Sequence, residues 1–449
     1  MDRELFRTSG RQIKFPELLD RVQKFLSTDY SGLMNGENPA NTKEQICSYI
    51  KQYILSNKFE VENIPTDKLV NRMYEETSDF SFLTPYLRGG NKEWEEININ
   101  RWDDTKITYC GGSVVRSEQQ FMSPEHAEHI IQRILRKSGI ILDQSRPLVR
   151  GHLNNNIRVT VIGRPIVDSD AGISVSIRYI NPKKLGRDDF LRNGMATGEM
   201  LDLLSTLYRY GISICLAGAT GTGKTTIMGW ILSVLPDFKR VFTIENTTRE
   251  FDLTKYDGAG HVVNNVIHTV TRESDDPQQC VTEQMLLEQA LTFDPDYICM
   301  AEMKGSEAFE TQEAARTGHA VISTIHAKSC ADIYDRILDL CSLKGLLSGE
   351  LLKSSIVKAF PITFFVKKME DSVRRITEIC ECEDIGDGKY KLHTLYRFKT
   401  ESNKVISGKT VVSGKFEKVA SISQKLQQEL RDNNIPDDVL KKIAGGGEN

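Results

Sequence analysis

Long apolar runs are missing from this 449-residue chain. No segment approaches the roughly 18 consecutive apolar residues that a bilayer-spanning helix needs. The opening residues, MDRELFRTSGRQ, lack the apolar centre of a signal peptide. Both absences point to a cytosolic chain that would meet a membrane only by docking on it. A metal-binding spacing is missing too: no two of the nine cysteines stand as C-x-x-C, which argues against a zinc site, and an odd, scattered count points to a reducing compartment. The close pair Cys380-x-Cys382 falls in a strand-like stretch, where its side chains are expected to face opposite ways, leaving little scope for a metal. A basic excess is also absent. Lys and Arg number 58 against 62 Asp and Glu, net −4, with the signs interspersed; a nucleic-acid-bound chain usually shows a basic stripe. There is no internal repeat, and no low-complexity block beyond the C-terminal triple glycine.

What is present is an ordinary folded composition, 39% hydrophobic and 27% charged. The length exceeds what one hydrophobic core serves, so two or three domains are expected. Residues 1–90 read as helices and loops, with apolar Ile46, Tyr49, Ile50, Tyr53 and Ile54 on one face, and Leu87-Arg-Gly-Gly-Asn91 as a boundary. Residues 91–183 alternate strand-like segments with one helix that Ser123 caps and Pro124 starts, a small α+β domain. Residues 184–198 read as a linker. From 199 to 370 short apolar strands alternate with helices, which predicts a doubly wound α/β domain. Residues 371–449 return to strands and end on an amphipathic helix.

The chemistry concentrates in that α/β region. Gly218-Ala219-Thr220-Gly221-Thr222-Gly223-Lys224-Thr225-Thr226 follows the buried strand 212–217 and opens a helix. Its glycines let successive N–H groups face phosphate oxygens. Lys224 supplies a point charge for the β/γ-phosphates, Thr225 a hydroxyl for Mg²⁺, and the helix its positive end. Downstream, the strand 297–301 delivers Glu302 to the sheet edge where ligands bind, placed to activate water directly or through Mg²⁺. Glu245, ending another strand, and Glu250 just after it are further candidate bases. His319 and His326 bracket a third strand; His326 ends it on the same edge and is a candidate sensor of the γ-phosphate.

Taken in order, the phosphate loop, Thr243-Ile-Glu-Asn246, Pro295-Asp-Tyr-Ile-Cys-Met-Ala-Glu302-Met-Lys-Gly-Ser-Glu-Ala308, Thr317-Gly-His-Ala320 and Ser323-Thr-Ile-His-Ala-Lys328 resemble the type II/IV secretion ATPases. Within them the pattern is most similar to the branch of tight-adherence pili and VirB-type conjugation, over about residues 92–400. The resemblance implies a RecA-like phosphate-loop ATPase domain with a smaller α+β, PAS-like N-terminal domain. It further implies a homohexamer that binds ATP and Mg²⁺ and drives inner-membrane platform proteins from the cytoplasmic face. By the same resemblance Glu302 is the Walker B glutamate, Glu245 lies in the acidic box, and His319 and His326 form the histidine box. Arg158 and Arg178 match arginines of the N-terminal domain that reach the nucleotide. Three departures stand out: Asn246 replaces the usual aspartate, Ala301 the usual glycine, and residues 258–279 are irregular against the family. Two other readings stay open here: a nucleic-acid translocase or packaging motor, and a nucleotide-switched scaffold.

Overall fold

The computed structural model describes residues 11–29, 39–89, 93–109, 112–153, 157–180, 184–272, 276–345, 349–386, 389–406 and 408–445; Gly90-Asn91, Cys110, Asn181-Pro182 and the last two C-terminal glycines lie outside them. The described residues fall into two compact units that divide between residues 182 and 183. Among them no helix is long and apolar enough to cross a membrane.

The first unit opens with α1 (Phe15–Asp29), α2 (Pro39–Ser56) and α3 (Thr66–Ser78). These bury Leu18, Val22, Ile46, Ile50 and Met73 against one another. Six antiparallel strands follow: β1 (Trp94–Arg101), β2 (Asp104–Tyr109), β3 (Val114–Arg116), β4 (Leu148–Leu153), β5 (Ile157–Ile162) and β6 (Ser174–Tyr179). Their order is β3-β2-β1-β6-β5-β4. Period-two alternation puts Ile97, Val159 and Ile177 on one face, where α4 (Pro124–Arg136) covers them with Ile130, Ile131 and Ile134. Ser123 caps α4 as expected, its Oγ accepting from the His126 N–H at 3.1 Å.

The second unit is built on a nine-stranded sheet. In chain order it has α5 (Arg187–Arg192), α6 (Gly198–Arg209), β7 (Ile214–Ala217), α7 (Lys224–Ser233), β8 (Val241–Glu245), β9 (Val266–Val270), α8 (Glu283–Thr292), β10 (Tyr297–Met303), α9 (Glu307–Arg316), β11 (Ala320–Ile325), α10 (Cys330–Ser342), α11 (Gly349–Ala359), β12 (Ile362–Lys368), β13 (Arg374–Gly386), β14 (Lys389–Ile406), β15 (Lys409–Lys418), α12 (Gln424–Asp432) and α13 (Asp437–Ala444). The sheet order is β9-β8-β10-β11-β7-β12-β13-β14-β15. The first six of these are parallel, and β13–β15 continue the sheet as an antiparallel meander. All four residues of β7 are buried, because helices cover both faces of a parallel sheet. On one side Met200, Leu204, Leu207, Ile227 and Ile231 pack; on the other, Leu287, Ile333, Tyr334 and Ile337.

Four local readings change. Residues 184–198 are packed structure as well as connection: α5 lies within them, and Phe190, 1% exposed, meets Trp230 edge-on at 5.8 Å. The irregular 258–279 segment contributes β9, with half-buried side chains, paired to β8 from Val266 to Val270. Residues 371–418 extend the ATPase sheet itself, adding β15 to the two strands legible in the sequence. Cys380 and Cys382 face the same way, toward α10, where burial first and then neighbours that include Cys330 and Cys382 push the Tyr334 hydroxyl up; residues two apart on a strand share a face.

Replacing Phe190 by Ala removes a fully buried ring next to the first core helix. Urea unfolding should show a loss of about 3–5 kcal/mol; a change within 0.5 kcal/mol would mean that this segment does not pack against the core.

Candidate functional site

The loop after β7 is shaped by its neighbours. A Cβ on Gly218 would run into the Val366 carbonyl oxygen at the end of β12 and come within 2.7 Å of Thr222 Oγ1, so the sheet leaves room for glycine only. Gly223 turns the chain into α7 through a left-handed φ of 92°. Inside the loop, Lys224 Nζ donates to Gly218 O at 2.8 Å and to Ala219 O at 3.1 Å. Thr225 occupies the first turn of α7, where the backbone N–H groups are free of helical partners. The residue set fits a Mg²⁺-bound triphosphate: a glycine-lined turn, one cation, one hydroxyl and a helix N-terminus.

Glu302 sits near the end of β10, two strands from the loop, on the same edge of the sheet. One carboxylate oxygen lies 2.8 Å from His326 Nε2 and the other 2.9 Å from Lys304 Nζ. The first contact is an ion-pair approach and not an aligned hydrogen bond, since Glu302 Oε1 has no hydrogen-bond partner among the described residues. His326 follows β11, and its Nδ1 lies 3.1 Å from Gly218 O. Both ring nitrogens thus face oxygens, Nε2 the Glu302 carboxylate and Nδ1 the Gly218 carbonyl. Glu307 holds the connection after Glu302, accepting from Lys304 N at 2.6 Å and Gly305 N at 2.8 Å.

Glu245 is arranged differently. Its side chain is fully buried. Oε1 accepts from Thr243 Oγ1 at 3.0 Å, and Oε2 accepts from the backbone N–H groups of Glu250 and, at 2.8 Å, Phe251. His268 Nδ1 lies 3.6 Å away. The carboxylate fastens the 246–251 loop, while Glu250 itself is half-buried on that loop. Asn246, in place of an acid, donates to Glu283 Oε1 at 2.8 Å.

The two histidines part company. His319 precedes β11 and His326 follows it, so a strand of about 20 Å separates them. His319 lies in the cleft of Arg209, Lys239 and Asp296, on the opposite edge from the phosphate loop. The structure thus corrects the expectation of a histidine pair at the site. Arg158 and Arg178 belong to the first unit, where they are direct cross-strand partners on β5 and β6. Glu96 is the next partner of Arg178 across the sheet. Two arginines side by side repel, and nothing in their spacing of twenty residues announced the pairing.

One residue escaped sequence reading. Arg374, first in β13, donates through Nε to Gly221 O at 2.9 Å. Its Cδ lies 3.3 Å from where a Gly223 Cβ would stand. It sits some 150 residues from the loop in sequence and outside any motif, so only the sheet order brings it there.

The six parallel strands, numbered as they occur in the second unit, lie in the order third, second, fourth, fifth, first, sixth, with the phosphate loop after the first and the acid near the end of the fourth. That arrangement is the RecA-like one, and it places the chain among nucleotide-binding phosphate-loop ATPases. The chain belongs to the type II/IV secretion system protein family, whose sequence profile matches residues 149–437. Among relatives, an uncharacterised protein of Methanocaldococcus jannaschii is 29% identical over 201 residues, 45% of this chain and 35% of its own. The type IV secretion system protein PtlH of Bordetella pertussis is 35% identical over 199 residues, 43% of this chain and 57% of its own. The chain thus spans between a third and three-fifths of the length of these two relatives. The crystal structure of the VirB11 ATPase of the Brucella suis type IV secretion system, in complex with sulphate, is 23% identical, covering 66% of this chain and 94% of that one, with a TM-score of 0.33.

Two substitutions separate the carboxylates. Glu245→Ala orphans two backbone N–H groups, each costing about 1–3 kcal/mol, and should lower the urea midpoint. Glu302→Gln should keep the wild-type midpoint and nucleotide binding while slowing turnover by about 10²–10⁴-fold. A normal midpoint for Glu245→Ala would show that its carboxylate does not hold the loop.

Proposed function

We propose that the chain is an ATP-hydrolysing motor of a secretion, pilus-assembly or conjugation machine. It works as a homohexamer at the cytoplasmic face of the membrane and couples turnover to motion against inner-membrane platform proteins. The observation that carries the hydrolytic part is the line Glu302–His326–Gly218 O, which joins an acid on one strand to the phosphate loop on another. The machine itself is argued from family membership and from relatives such as PtlH.

In this reading Lys224 holds the β/γ-phosphates, and the backbone N–H groups of 219–226 line the rest of the triphosphate. Thr225, with Glu302 nearby, holds Mg²⁺, which when bound neutralises charge developing on the phosphate oxygens. Glu302 orients a water and accepts its proton, and His326 keeps that carboxylate aimed while touching the loop. Glu245 is set aside as the base because both of its oxygens are engaged and buried. Glu250 is the next candidate after Glu302. His319 is left without a catalytic part. Arg158 and Arg178 supply further positive charge to the nucleotide from the first unit, as their match to the family's arginines suggests. The balanced net charge speaks against a nucleic-acid translocase.

Phosphate release by purified protein tests this. Lys224→Ala should cut ATP turnover by at least about a hundredfold, and sedimentation should show a hexamer. Undiminished turnover in Lys224→Ala would sink the assignment. Stimulation by duplex DNA, but not by membranes carrying platform proteins, would redirect it to a nucleic-acid motor. Nucleotide binding with no measurable phosphate release in the wild type would redirect it to a switched scaffold.

A further inference from the structure

Behind the phosphate loop, on the face of the sheet covered by α10, two thiols and a carboxylate converge. Cys330 is the first residue of α10, four residues past His326. Glu378 and Cys380 lie on β13, which begins with Arg374. Cys330 Sγ, Cys380 Sγ and a Glu378 carboxylate oxygen all lie within 4.8 Å of one another. Both cysteines are fully buried, and Glu378 is only half-buried.

The thiols have weak partners. Cys330 Sγ is 3.9 Å from the Glu378 backbone oxygen, and Cys380 Sγ is 3.9 Å from Thr394 Oγ1. Opposite Cys380 in the sheet stands Thr363, fully buried, whose Oγ1 has no hydrogen-bond partner among the described residues yet lies close enough to Cys330 to act on its thiol. Two buried thiols and a carboxylate gathered this closely present a cation with a ready set of soft and hard donors.

We propose that Cys330, Cys380 and Glu378 form a binding site for a thiophilic divalent cation, Zn²⁺ by the chemistry of the donors. Two thiolates and one carboxylate suit a borderline-soft ion. Zn–S bonds of about 2.3 Å put tetrahedral sulfurs roughly 3.8 Å apart, so the donors need close by only about 1 Å. The fourth position is completed by Thr363 Oγ1 or by a water that it holds. Binding replaces two thiol protons by the metal and releases both to solvent. The half-buried Glu378 gives the ion its way in. The site pins the start of α10, just beyond His326, to the strand that carries Arg374. It therefore fixes the spacing between two groups that both touch the phosphate loop, Gly218 O on one side and Gly221 O on the other. No part of this rests on ATP hydrolysis.

The test uses the full-length protein, reduced and freed of metal with a chelator, then titrated with Co²⁺. About one Co²⁺ per chain should bind with an intense thiolate-to-cobalt charge-transfer absorption, and Zn²⁺ should bleach it. The absorption should vanish in Cys330→Ser/Cys380→Ser and persist in Cys47→Ser, which lies in the first unit. Glu378→Gln keeps both thiols and should weaken Co²⁺ binding by about tenfold or more. No charge-transfer absorption in the wild type would overturn the site, as would an absorption that survives in the double serine variant. If circular dichroism shows the double variant misfolded, the wild-type and Glu378→Gln titrations decide, and unchanged Co²⁺ affinity in Glu378→Gln overturns the assignment.

Discussion

The carbonyl of Gly218 is where this site is held together. It accepts from Lys224 Nζ, which belongs to its own loop, and it lies 3.1 Å from His326 Nδ1, at the end of a neighbouring strand. The residue that bears it can only be glycine, because the Val366 carbonyl leaves no room for a side chain. Two strands are thus tied at one oxygen, β7 through the carbonyl and β11 through the histidine, while β12 closes against the α-carbon of the same residue. Glu302 reaches the knot at one remove, through His326. A displacement at any of these points is felt at the others, since a packed parallel sheet does not stretch.

The carboxylates illustrate how environment assigns roles to equal chemistry. Glu245 and Glu302 both end buried parallel strands on one edge. One is sealed beneath a loop that it fastens with backbone hydrogen bonds; the other keeps 23% of its side chain exposed, facing a histidine and a lysine. Only the second has access to water. The acid that the sequence places closest to the acidic box is the one that folding has used for structure.

The core of the fold and half of the site were legible because their signals are local. The phosphate loop, Glu302 and His326 each lie at a strand end that an apolar run announces, and the parallel alternation of β7, β8, β10 and β11 leaves a plain pattern. What was illegible depends on partners distant in the chain. β9 is half-exposed and mixed in character, so its strand identity comes from pairing with β8. Phe190 sits among charges in a segment that looks like linker until the core arrives to bury it. Arg374 has no motif at all. His319 was misplaced because a motif describes succession, and succession along a strand carries two residues to opposite ends of a sheet.

The meander that closes the sheet carries a different consequence. β15 is the last strand in the order, so one of its sides bears backbone groups with no strand beside them among the described residues. Val405, Ile406 and Val411 stand exposed near the tip of its hairpin. Such an edge is a template for another chain's strand. Lys415 and Lys418 lie along β15, with Lys404 across from Val411, and Lys415 meets Glu401 and Glu417 at 3.7 and 3.6 Å; charged side chains along an edge discourage such pairing. The sheet thus ends on a ribbon where exposed apolar residues at the tip stand beside charged ones along the edge, and the charges are what make that edge a poor partner for another strand.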